Sequence, residues 1–161
     1  MKTATNTETE ILEDFKNASP EGKALLEKHF PKINFPKPFR DRVKSFADIC
    51  REAGEDLAQF EIPKNATPRQ VGTNAFSKVQ LITEMANEGW QPDSSDSSQT
   101  KYEIIWRYKA GSGFAYYGYD GTATRTAVGA RLQFKDVETA RWAAETFPTE
   151  WNEYLTKTPI K

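Results

Sequence analysis

The sequence predicts an α+β domain, and three observations carry the prediction. "TPRQVGTNAFSKVQLITEMANEGW" keeps Val71, Ala75, Val79, Ile82 and Ala86 on one helical stripe over several turns. "KYEIIWRYK" alternates with period two and places Tyr102, Ile104, Trp106 and Tyr108 on one side of a strand. "KDVETARWAAETFP" then returns to helical spacing through Val137, Ala140, Ala144 and Phe147. Together they predict a three-stranded antiparallel sheet packed on one face by helices, with a helical arm at the N-terminus.

Taken in order, residues 1–8 are polar and aperiodic and are expected to be disordered. "TEILEDFKNA" aligns Ile11, Leu12, Phe15 and Ala18, and "SPEGKALLEKHFP" offers Ser19 as N-cap, Pro20 at the first helical position and Pro31 as the stop. "PKINFPKPF" is held extended by its prolines, as a stiff linker or a polyproline-like ligand. Residues 1–40 therefore read as tail, helical arm and proline-rich linker, and 41–161 as the α+β domain. In that domain Ser45 and Gly54 bracket a short helix with Phe46, Ile49, Cys50 and Ala53 on its buried face. Thr67, Pro68 and Gln70 open the long helix, and Gly89 closes it with Trp90 as the closing contact. Asp136 caps the last long helix, Pro148 ends it, and a further turn or two holds Trp151, Tyr154 and Leu155.

The strands follow "KYEIIWRYK" with "FAYYGY" and "AVGARLQF". A four-residue turn over 110–113 sets Lys109 opposite Phe114 and Trp106 opposite Tyr117. The core face then collects Tyr102, Ile104, Trp106, Tyr108, Ala115, Tyr117 and Tyr119. The other face collects Glu103, Arg107, Lys109, Phe114 and Tyr116, joined by Arg131 and Gln133 of the third strand. A turn one residue shorter exchanges the two sets of the second strand, because side chains alternate. The four-residue choice buries the larger apolar set without stranding an arginine.

An aromatic ring among guanidinium groups suits base stacking with phosphate neutralisation, and equally an acidic protein surface. The plainer alternative is a charged face that keeps an antiparallel sheet soluble. The loop "YDGTATRT" adds hydroxyls and Arg125, a set fitted to an anion or a sugar, or to a solvated hairpin loop. The candidate binding residues are Arg107, Lys109, Tyr116, Arg125 and Arg131, for nucleic acid or a protein partner.

Composition narrows the chemistry. The 22 basic and 23 acidic residues exclude a generally polycationic binder. One cysteine, Cys50, excludes an intrachain disulfide and a thiolate cluster, and reads as a buried apolar side chain. The one histidine, His29, falls near the end of a peripheral helix, against a zinc site or a Ser-His-Asp triad. Asp93 and Asp96 fail the calcium-loop pattern, because the twelfth position is Ile104. No metal, no cofactor and no catalytic signature is expected, and the protein reads as a non-enzyme. With no apolar signal core and no long apolar run, it is expected in the cytoplasm, away from membranes.

"SFADICREAG", "ANEGWQPD" and "VGARLQFKDVETARWAAETF" resemble a group of small uncharacterised proteins encoded by phages and prophages of Bacteroides-type gut bacteria. The resemblance covers roughly 43–155, through Asn87, Glu88, Gly89, Trp90, Pro92 and Asp93, then Gly129, Arg131, Leu132 and Phe134. It implies a viral or mobile-element setting in a bacterial host cell, with virion association as one form of it. The expected function is an accessory binding protein that uses the open face of its sheet. The alternative is a structural or assembly protein that self-associates or joins a virion.

Overall fold

The computed structural model describes residues 7–156. The chain divides into two compact units, Met1–Pro38 and Phe39–Lys161. In the first, helix α1 (Glu8–Asn17) opens on a reciprocal cap: Thr7 N–H donates to Glu10 Oε2 at 2.7 Å, and Glu10 N–H donates back to the Thr7 hydroxyl. The expected disorder over 1–8 is corrected at its last two residues, which this cap recruits into the helix start; residues 1–6 lie outside the described residues. Helix α2 (Pro20–His29) starts at Ser19 and Pro20 as the sequence implies. The proline segment is more than a spacer, since Phe35 stacks on Phe15 with ring centroids 4.5 Å apart.

The second unit runs α3 (Phe39–Arg42), α4 (Phe46–Ala53), α5 (Pro68–Ala86), β1 (Lys101–Lys109), β2 (Gly113–Thr122), α6 (Val137–Thr146) and α7 (Pro148–Leu155). Ser45, Thr67 and Asp136 cap their helices, and Gly54 adopts the left-handed conformation that ends α4. Pro148 both stops α6 and occupies the first position of α7. The core joins Phe46, Ile49 and Cys50 of α4 to Val79, Ile82 and Ala86 of α5, and to Ala140, Ala143 and Ala144 of α6. Small residues along α6 let the hairpin lie close to it. Trp151 of α7 sits at the centre, 5.2 Å from the Trp106 ring, with its Nε1 donating to Ala143 O at 3.2 Å. Burial pushes the Cys50 thiol pKa up, as a core side chain requires.

The sheet has two strands among the described residues, not three. Phe134 meets Tyr102 in a single antiparallel bridge, and the segment before it turns away. Gly129 has φ 79°, and Ala130–Leu132 coil into a 3-10 turn, so Val128 and Ala130 leave the apolar set while Leu132 and Phe134 stay buried. The ladder stops because the next inward group, Leu132 N–H, donates to Gly129 O within that turn. Asn87, at the end of α5, donates to Gln133 O at 2.8 Å and accepts from Lys135 N–H at 3.1 Å, so its amide holds the far edge of this segment.

The hairpin register is also one residue tighter than expected. Lys109 pairs with Gly113, Tyr108 with Phe114, Arg107 with Ala115 and Trp106 with Tyr116. Gly111 and Gly113, with φ 81° and 77°, make the shorter turn possible. A bulge opposite Ile105 and Trp106 then absorbs Tyr117 and returns Tyr119 to face Ile104. Phe114 and Tyr116 therefore join Tyr102, Ile104, Trp106 and Tyr108 on the helix-packed side. Ala115 and Tyr117 move to the side that carries Arg107 and Lys109.

Candidate binding surface

The open side of the hairpin presents Ile105, Arg107 and Lys109 of β1 beside Ala115 and Tyr117 of β2. Ile105 and Tyr117 are large side chains left 41% and 55% exposed. The bulge aims Tyr117 outward, and the Arg107 guanidinium lies over its ring, 3.4 Å from the centroid. Stacking fixes the plane of the guanidinium while leaving its N–H edges to solvent, a geometry suited to forked recognition of phosphate or carboxylate. Lys109 adds a second cation two residues along the same side.

The other end of this side is closed. Lys101, fully buried, donates from Nζ to Asp96 O at 2.9 Å and Ala123 O at 2.8 Å. Glu103 accepts from Ala127 N–H at 3.1 Å and from Gln133 Nε2 at 2.9 Å. Glu103 and Gln133 thus form a buried brace under the 123–129 loop, not part of an open face. That loop is less available to an anion than its composition suggests, because the Thr126 hydroxyl already accepts from Val128 and Gly129 N–H.

Of the five expected binding residues, the fold brings together Arg107 and Lys109. Tyr116 lies on the opposite side, half-buried against α6, where its hydroxyl hydrogen-bonds Arg141 and raises that guanidinium's pKa. Arg125 is exposed on the loop that follows β2. Arg131 belongs to the 3-10 turn and lines a separate cleft of about 420 Å³ with Trp90, Pro92 and Glu84. Sequence reasoning missed Ile105 and Tyr117; the glycines flanking the turn were the signal for the shorter register.

The same cleft is lined by residues of both "NEGWQPD" and "VGARLQF". Glu88 and Gly89 take φ 49° and 87° in succession, which ends α5 abruptly and turns Trp90 toward Ala130 and Arg131. Glu88 then pairs with Lys135 at 3.0 Å while Asn87 holds the backbone beside it. The two motifs are halves of one clamp.

Among the described residues no group of three or more His, Cys, Asp or Glu is placed to hold a metal ion, and no helix is long and apolar enough to cross a membrane. Comparison with protein-family models, curated proteins and solved structures gives no match to this chain.

Proposed function

We propose that this protein is a non-enzymatic accessory binding module of a phage or mobile element, and that it takes single-stranded nucleic acid on the open side of its hairpin. The observation that carries the reading is the exposed Arg107–Tyr117 stack with Lys109 beside it. One ring face and two cations supply the two parts that sequence-tolerant binding of a single strand uses, a stacking platform and phosphate neutralisation. The setting rests on the resemblance of the two clamp motifs to phage and prophage proteins.

Fluorescence anisotropy with labelled single-stranded DNA and RNA at two salt concentrations tests it. Each phosphate neutralised contributes roughly 0.7 to the slope of log affinity against log salt, so Arg107→Gln should flatten the slope by about that amount. Tyr117→Ala should weaken binding by roughly 1–3 kcal/mol at every salt concentration. Absence of binding at tens of micromolar protein in low salt removes the nucleic-acid reading.

A further inference from the structure

We infer that β1 pairs with β1 of a second copy, making one four-stranded sheet whose open side carries the Arg107–Tyr117 stack twice; this rests on the hairpin-face reading for its use, but not for its geometry. Tyr102 directs its N–H and carbonyl outward to Phe134, and Phe114 directs its own outward to Asn152. Alternation along the paired strands therefore points the backbone groups of Trp106 and Tyr108 away from β2, along the outer edge of β1. Among the described residues nothing bonds to them there.

The remaining edges of the sheet are guarded. The Asn152 side chain caps Phe114, accepting from its N–H at 2.7 Å and donating to its carbonyl at 2.9 Å. The bulge at Tyr117 breaks the rest of the β2 edge as a template. Asn87 holds the far side of the Phe134 bridge. Among the described residues β1 from Trp106 onward carries neither a cap nor a bulge of its own, with Tyr108 63% exposed at its tip.

A two-fold axis at Arg107 satisfies this edge. Trp106 of one copy then pairs with Tyr108 of the other, and all the outward groups of both residues are met in a ladder clear of Phe134. A second copy is the occupant that this geometry fits, because the same short edge answers itself in antiparallel register. The axis also sets the two Arg107 side chains opposite each other, between the two Tyr117 rings. Like charges opposed across strands weaken the pair, and a bound phosphate relieves them. The dimer and the nucleic-acid site thus respond to salt with opposite sign.

Analytical ultracentrifugation without nucleic acid tests this, at low and high salt and up to hundreds of micromolar protein. The wild-type chain should dimerise with rising concentration, more tightly at high salt, and Arg107→Gln should tighten the dimer by roughly 1.5- to 5-fold. Tyr108→Pro removes the outward N–H together with the ring that meets Phe114, at a position where an edge strand tolerates proline, and should leave a monomer whose near-ultraviolet circular dichroism matches that of Tyr108→Ala. Tyr108→Ala keeps the N–H and should still dimerise. Should the proline variant fail to fold, amide exchange in the wild-type chain decides: Trp106 and Tyr108 should slow as concentration rises. A wild-type monomer at every concentration and salt, or a Tyr108→Pro dimer as tight as wild type, overturns the pairing. A monomer that still binds nucleic acid overturns the pairing alone, whereas a dimer that binds none overturns the hairpin-face reading alone.

Discussion

The two sides of the β1–β2 hairpin are built from the same strands and each holds large apolar side chains, yet they meet different fates. On one side Ile104, Trp106 and Tyr116 lie against α6 and α7, and Ile104 keeps only 8% of its exposure. On the other, Ile105 keeps 41% and Tyr117 keeps 55%. Hydrophobicity does not separate Ile104 from Ile105, or Tyr116 from Tyr117. Strand pleat separates the first pair, while turn length and one bulge separate the second. Which of Tyr116 and Tyr117 faces the helices is thus set by backbone parity, whereas Tyr108 and Tyr119 on the packed side stay exposed because the helices do not reach them.

The largest way to break this contrast lies on the packed side. Trp151→Ala removes the ring that touches Trp106 and Phe134 and should cost roughly 3–5 kcal/mol in a urea titration. A loss under about 1 kcal/mol would mean that the helix-packed side is not the stability centre. Next comes the Asn87 clamp on the far side of the Phe134 bridge. Asn87→Ala leaves Gln133 O and Lys135 N–H without their partner and should cost about 1–3 kcal/mol; a neutral result would show that the 3-10 turn needs no such hold. On the open side, Ile105→Thr should change stability by no more than about 0.5 kcal/mol, and a larger loss would place Ile105 in a core after all. The smallest effect concerns a partly buried carboxylate in the first turn of α4. Asp48 has its pKa lowered to about 2, chiefly by the Lys44 backbone N–H, then by Ser45 and Arg51. Its folded pKa lies below the unfolded one, so its contribution is present above the unfolded carboxylate pKa and is lost as pH falls toward about 2. Asp48→Asn should flatten that part of the acid-unfolding curve slightly.

Legibility from sequence followed the range of the interaction. Helix starts were readable because Ser45, Thr67 and Asp136 act within three residues of themselves. The stripe through Ala75, Val79, Ile82 and Ala86 was readable because helical spacing alone places it. The third strand was not, because "AVGARLQF" has strand-like composition but coils at Gly129, where Leu132 N–H turns to Gly129 O instead of to β1. The open face was half legible. Arg107 and Lys109 follow from the alternation of β1, whereas Tyr117 in place of Tyr116 depends on a turn and a bulge that no periodicity reports. The glycines at 111 and 113 hinted at the shorter turn, but burying Tyr117 and Tyr119 together favoured the longer one.

The central claim is that the outward Arg107–Tyr117 stack is where a single-stranded nucleic acid is held. The most direct test is an amide chemical-shift titration of the isotope-labelled protein with a short oligothymidine in low salt. Shifts confined to Ile105, Arg107, Lys109, Ala115 and Tyr117, and abolished by Tyr117→Ala, are the expected result. Shifts centred on Trp90, Gln91 and Arg131, or none at saturating oligonucleotide, would contradict it.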